Sequence, residues 1–148
     1  MVMKRWGSLL VLLLLVPLTL APRTSWTLEE VEYDLTVATP RDAVRVNAAV
    51  PLTLRLLSRS DDVIEHALLV IDVAVDGRDA VDVVAASAGC TISGTRVTCD
   101  VADIPAHGTG EVRIVLRALQ KGLVTVAVED GVSGGRFGTA TFEAVTPR

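Results

Sequence analysis

Cys90 and Cys99 are the only two cysteines of the 148-residue chain, and their spacing is that of a cross-strand bridge. Gly94-Thr95 lies midway between them, a Gly-X pair suited to a two-residue type II′ turn. Folding about that pair sets Ser93 opposite Arg96, Ile92 opposite Val97, Thr91 opposite Thr98 and Cys90 opposite Cys99. With Ser93 and Arg96 closing the turn as a hydrogen-bonded pair, alternation makes the two cysteines a non-hydrogen-bonded pair. The Cα atoms of such a pair approach to about 4.5 Å, within the reach of a disulfide. The expectation is therefore a disulfide closing a short loop, with an entropic contribution of roughly 3 kcal/mol or less. Two free buried thiols are the alternative.

Other residues have types that could do chemistry but spacings that do not. Asp72, Asp76, Asp79 and Asp82, with Asp61 and Asp62 nearby, suggest calcium at the end of a domain. Calcium needs six to eight converging oxygens, and no Asp-x-Asp-x-Asp-Gly loop is present. Solvated strand ends and turns account for these carboxylates. His66 and His107 are isolated, and zinc would need three or four convergent ligands, so both read as exposed structural histidines. The glycine-rich stretch 131–138 opens no helix on which a phosphate could sit, and reads as a mobile hairpin loop. Gly131-Val132-Ser133-Gly134-Gly135 has the Gly-x-Ser-x-Gly spelling but opens no helix, as a nucleophile elbow must, and no Ser/His/Asp ordering suggests hydrolysis. The expectation is no catalytic, metal-binding or cofactor-binding residues, no cofactor and no enzymatic activity.

The elements that must position these residues are strands. A polar, unpatterned lead-in is expected over 22–32. Period-two alternation then marks Tyr33–Ala38, with Val44, Arg45 and Val46 as a possible brief pairing. It marks 50–58 next, with Leu52, Leu54 and Leu56 inward. Residues 66–76 carry an apolar run that a helix would also accommodate, but β-branched Val70, Ile71, Val73 and Val75 favour a strand. Residues 80–86, the cysteine hairpin, Thr109–Ala118, 123–129 and Arg136–Val145 follow, with turns at Asp76-Gly77, Gln120-Lys121-Gly122 and Asp130-Gly131. In Thr109–Ala118, Val112, Ile114 and Leu116 face inward. In the cysteine hairpin, Cys90, Ile92, Val97, Cys99 and Val101 share the apolar face. The fold class is all-β, an immunoglobulin-like antiparallel sandwich of about seven or eight strands over 33–146, with an aliphatic core.

Ahead of this domain, Lys4 and Arg5 precede an almost unbroken apolar run over 9–20. Residues 1–21 read as an export signal, too short for a membrane span of about 20 apolar residues. Pro22 directly after Thr19-Leu20-Ala21 makes a poor cleavage site, so an uncleaved anchor stays open. Export implies an oxidising compartment, which favours the bridge. Removal of Lys4 and Arg5 leaves 14 − 2 = 12 basic against 18 acidic residues, a net charge of −6. That balance disfavours nucleic acid or an anionic membrane as a partner. Membrane contact is expected only through the N-terminal segment, if it is uncleaved.

Gly89-Cys90, Val97-Thr98-Cys99-Asp100-Val101, Ile104-Pro105-Ala106-His107-Gly108 and Glu111-Val112-Arg113-Ile114-Val115-Leu116 follow one another through the second half of the domain. In these residues it resembles the bacterial DUF11 repeat, an immunoglobulin-like domain of secreted and cell-surface proteins. Gly122-Leu123-Val124-Thr125-Val126-Ala127-Val128 and Thr139-Ala140-Thr141-Phe142 match the family's closing strands. Asp34-Leu35-Thr36-Val37 and Leu52-Thr53-Leu54-Arg55-Leu56 match more loosely, and Ser58-Arg59-Ser60-Asp61-Asp62 stands where the family has an Asn-Gly turn. The resemblance implies an extracytoplasmic location, whether secreted, periplasmic or on the cell surface. It also implies a non-enzymatic module for protein–protein interaction or assembly in the bacterial cell envelope, its partner an envelope or surface protein. The final strand is the expected point of strand addition. The alternative is an extracytoplasmic ligand-binding domain for calcium or carbohydrate.

Overall fold

The computed structural model describes residues 22–147; the expected leader over 1–21 lies outside them. Eleven strands follow in order: β1 (Arg23–Thr27), β2 (Tyr33–Ala38), β3 (Val44–Arg45), β4 (Ala49–Ser58), β5 (Ile64–Val75), β6 (Val81–Ala86), β7 (Cys90–Ser93), β8 (Arg96–Ile104), β9 (Thr109–Ala118), β10 (Gly122–Asp130) and β11 (Arg136–Val145). They form a five-stranded sheet in the order β1-β2-β4-β9-β6 and a six-stranded sheet in the order β3-β11-β10-β5-β8-β7. The expected all-β sandwich is what the chain forms, with eleven strands in place of the expected seven or eight, because short strands such as β1 and β3 add to the framework.

Alternation builds the layers. Leu52, Leu54 and Leu56 of β4 and Val112, Ile114 and Leu116 of β9 are buried, and they face Leu69, Ile71 and Val73 of β5 and Val124, Val126 and Val128 of β10. Residues at every second position of a strand point to one face, so each of these elements carries one apolar stripe into the core. The β-branched run that a helix would also have accommodated is the twelve-residue strand β5, paired with β8 on one side and β10 on the other.

Three features depart from the sequence reading. Residues 22–32, expected as a flexible lead-in, carry a paired strand and a held turn. β1 pairs antiparallel with β2 from Arg23↔Ala38 to Thr27↔Asp34, and the Thr39 N–H donates to the Pro22 carbonyl at 3.2 Å. The turn that follows is held by Arg59, whose Nη2 donates to the carbonyls of Leu28 at 2.8 Å and Val31 at 2.5 Å. No period-two apolar pattern marks β1, because as an edge strand it buries only part of one side chain, Trp26. Secondly, the brief pairing at Val44–Arg45 is parallel, against Ala144 and Val145 of β11, in an otherwise antiparallel framework. Thirdly, Ile92 shares the face of Cys90 and Val97 but is 41% exposed, because β7 is the outermost strand of its sheet and little lies beneath it.

Candidate functional site

The hairpin register is the expected one, Cys90↔Cys99 through Ser93↔Arg96, and the two cysteines are joined by a disulfide with their Cα atoms 4.0 Å apart. Gly94 has φ +61°, as the first central position of a type II′ turn requires. The bridge sits on a tightly held approach. The Cys90 N–H donates to the Ser87 carbonyl at 3.2 Å, and the Asp100 N–H donates to the Gly89 carbonyl at 2.9 Å. Gly89 has φ +86°, and a Cβ there would lie 2.6 Å from the Asp100 carbonyl oxygen, so glycine is demanded twice over. Ser87 also ties the connection to the other sheet, its N–H donating to the Arg113 carbonyl at 2.8 Å and its Oγ accepting from the Arg113 N–H at 3.2 Å.

The aspartates and histidines singled out by type are dispersed. Asp72 accepts from Arg96 Nε at 2.8 Å and Nη2 at 3.2 Å on the outer face of the six-stranded sheet. Asp76 caps a turn, its Oδ1 accepting from the Leu123 N–H at 2.9 Å. Asp82 lies on β6 of the other sheet, 3.4 Å from Arg117 Nη2. Asp61 is 2.7 Å from His107 Nε2, and His66 Nδ1 is 3.0 Å from Asp100 Oδ1. The length of β5 separates Asp61 from Asp76. Among the described residues, no three or more His, Cys, Asp or Glu side chains are grouped to hold a metal ion.

The glycine-rich stretch is more structured than its composition implies. The Asp130 N–H donates to the Gly135 carbonyl at 2.8 Å, the Gly134 N–H to the Asp130 carbonyl at 2.9 Å, and the Gly131 N–H to the Leu68 carbonyl at 2.7 Å. Asp130 is 3% exposed, and its carboxylate accepts from the Tyr33 hydroxyl at 2.9 Å and the Ser133 N–H at 2.8 Å. Burial raises the pKa of the Asp130 carboxyl, but the hydrogen bonds from Ser133 and Tyr33 outweigh it and leave the group below the usual carboxylate range. Burial, and then the Asp130 charge, push the Tyr33 hydroxyl far above its ordinary value. The Tyr33 ring packs on Phe137 with centroids 5.4 Å apart. Nearby, Trp26 of β1 covers Gly138 so closely that a Cβ there would lie 2.5 Å from its Nε1. These pairs escaped the sequence reading. A tyrosine in a chain with a single one, and an aspartate opening a glycine-rich loop, were the available signals.

The final strand does lie near an edge. β10 covers one side of β11 along its length, but on the other side β3 pairs only with Ala144 and Val145. The Val145 carbonyl accepts from the Val46 N–H at 2.9 Å, so its backbone points away from β10. By alternation the backbone groups of Glu143, Thr141 and Thr139 point the same way, and no described strand pairs with them there. The open run spans about 17 Å between β3 and the Trp26–Gly138 contact.

No family model matches the sequence, and no curated protein matches it. Among solved structures, the chain is similar to the cupredoxin domain of amoB from Nitrosocaldus yellowstonii, at 16% identity and a TM-score of 0.39. That match covers 67% of this chain and 57% of that one. It is also similar to AvmM, described as catalysing macrocyclization in alchivemycin A biosynthesis, at 9% identity and a TM-score of 0.49, covering 79% and 90%. WR4, a C. elegans member of the MSP family, matches at 11% identity and a TM-score of 0.34, covering 78% and 98%. Likeness at this level carries no argument about function. The class is defined by the chain's own two sheets: a disulfide-bonded β-sandwich domain.

Proposed function

We propose that the chain is an exported, non-enzymatic immunoglobulin-like module that binds an envelope or surface protein by strand addition at β11. The observation that carries this reading is the outward-facing backbone of Thr139, Thr141 and Glu143, left unpaired between β3 and Trp26. Open edges are commonly blunted by charge, bulges or short length. Here β7 has four residues and β6 is bulged at Val84, whereas β11 runs ten residues with one bulge, beside Phe137 at its start. A five-residue open run matches what an added strand needs for main-chain affinity. The disulfide is compatible with an extracytoplasmic site, and among the described residues no helix is long and apolar enough to cross a membrane. The DUF11 resemblance supports the same assignment. A non-enzymatic role is supported by the structural pairing of Asp72, Asp76, Asp82, His66 and His107.

The test is in-cell photo-cross-linking from a probe at Thr139, with one at Val84 as control. One envelope protein should be captured from Thr139 and not from Val84. Thr141→Pro, which deletes an outward N–H and is tolerated on an edge, should abolish the capture. Capture that is equal at both positions, or that survives Thr141→Pro, would overturn strand addition.

A further inference from the structure

Three of the chain's arginines line one depression, although its formal net charge is −4. The depression lies on the outer face of the five-stranded sheet and encloses about 470 Å³. Arg23 of β1, Arg55 of β4 and Arg113 of β9 surround it, with Thr36 and Thr53 in its lining and Leu57 at one side. Glu111 is the one carboxylate in the lining. It lies 2.6 Å from Arg113 Nε and 3.6 Å from Arg55 Nη2, and so holds Arg113 in place while offsetting one of the three positive charges. Three arginines less one glutamate leave +2. The Arg23 side chain has no ion-pair or hydrogen-bond partner among the described residues and is exposed.

A second depression of about 550 Å³ adjoins the first and shares Ala38 and Thr53 with it. Its lining is mostly apolar, with Pro40, Val44, Ala48 and Pro51 prominent, and it carries one more cation, Arg45. Both run along the outward positions of β4 from Ala49 to Leu57, so together they form a trough about 27 Å long. One half is cationic and studded with hydroxyls; the other is mostly apolar, with Arg45 in its lining. No aromatic side chain lines either half, so the stacking platform that holds sugars or bases is missing.

We propose that this trough binds an extended acidic segment of a partner polypeptide. Its carboxylates are taken by Arg23, Arg55 and Arg113, and its adjoining apolar side chains lie against Pro40, Val44 and Pro51. Arginine offers a planar fork to each carboxylate, and the Glu111 bond pre-positions that of Arg113, which lowers the ordering cost of binding. This surface meets the β11 edge only at β3, through Val44 and Arg45, and takes none of Thr139, Thr141 and Glu143, so the proposal stands whether or not strand addition occurs there.

The test is fluorescence anisotropy on the full chain with a labelled peptide that has glutamates in one half and valines in the other. Saturable binding is expected, weakening as salt rises. Arg23→Glu should weaken it roughly tenfold, as loss of a charge contact at an interface does. Arg23 is exposed and unpaired, so this variant stays folded; Arg113→Glu serves as a second. Arg136→Glu, outside the trough, should leave binding unchanged, and Pro51→Glu should weaken it through the apolar half. Equal binding of a peptide with lysines in place of glutamates, no response to Arg23→Glu and Arg113→Glu, or absence of binding would each overturn the proposal. So would tighter binding of polygalacturonate than of the peptide, since the site would then be one for acidic polysaccharide.

Discussion

The two long flanks of the sandwich close in opposite ways. On one, β7 and β6 end their sheets, and the closure is local and covalent. A ten-residue stretch folds on itself, Cys90 bonds Cys99, and Ser87 hooks the approach to Arg113 of the facing sheet. On the other, β1 and β11 lie side by side and the closure is non-covalent and remote in sequence. Trp26 covers Gly138, and Tyr33 reaches Asp130 across 97 residues. A short covalent loop removes little chain entropy but sets its register firmly. A buried hydrogen bond between distant residues orders two loops at once, and its loss leaves polar groups stranded. The covalent flank has short or bulged edges. The non-covalent flank retains an open edge, which is where a partner strand can add.

The largest expected effect follows from breaking the non-covalent flank at Asp130. Asp130→Ala leaves the Tyr33 hydroxyl and the Ser133 N–H without their acceptor in a buried corner. A loss of about 3 kcal/mol is expected from urea unfolding, within the range for breaking a buried polar network. Amide exchange should accelerate at Ser133, Gly134 and Gly135 while the β7–β8 amides keep their protection. If both flanks loosen together, they form one cooperative unit and the contrast between them fails.

That contrast also sorts what the sequence disclosed. The cysteine hairpin was legible because turn type, register and bond are all decided within ten residues, by Gly94-Thr95 and simple alternation. The inward faces of β4 and β9 were legible for the same reason, since Leu52, Leu54, Leu56, Val112, Ile114 and Leu116 each follow from period two. β1 was not, because nothing within Arg23-Thr24-Ser25-Trp26-Thr27 shows that Gly138 awaits Trp26. Glycine richness at 131–135 read as mobility because the bonds that hold the loop come from Asp130 and from Leu68 of β5. The cationic trough was invisible too. Arg23, Arg55 and Arg113 are far apart in sequence, and only the sheet order β1-β2-β4-β9 gathers them.

Removing the covalent closure should do less. Cys90→Ala combined with Cys99→Ala is expected to cost roughly 2 kcal/mol, since the loop is short and its turn already favours the native register. The urea midpoint of the wild type should fall on reduction, and that of the double variant should not respond to reductant. Faster exchange should be confined to β7 and the neighbouring edge of β8. A cost well above that of Asp130→Ala would reverse the ranking of the flanks.

The smallest effect near neutral pH is the pH dependence that Tyr33 and Asp130 confer, because it is felt only below the ordinary carboxylate range and above the ordinary tyrosine value. The Asp130 carboxyl titrates lower in the folded chain than in the unfolded one, so its contribution is fully present above the unfolded value of about 3.9 and is lost as pH falls through the depressed native value. Tyr33 has the opposite sign: its folded value is raised, so its contribution is complete below the unfolded value of about 10 and is lost as pH rises beyond it. Tyr33 is the only tyrosine of the chain, so tyrosinate absorbance reports this one group. In wild type the absorbance should rise only together with loss of β-sheet circular dichroism, because burial, the hydrogen bond to Asp130 and the Asp130 charge all oppose ionisation in the folded state. Tyr33→Phe should lose the alkaline component altogether. It should also soften the acid one, which Ser133 continues to sustain through its bond to Asp130. Tyrosinate appearing at ordinary pH while the sheet signal persists would mean that the Tyr33–Asp130 corner opens independently, and that the non-covalent flank is held by Trp26 on Gly138 instead.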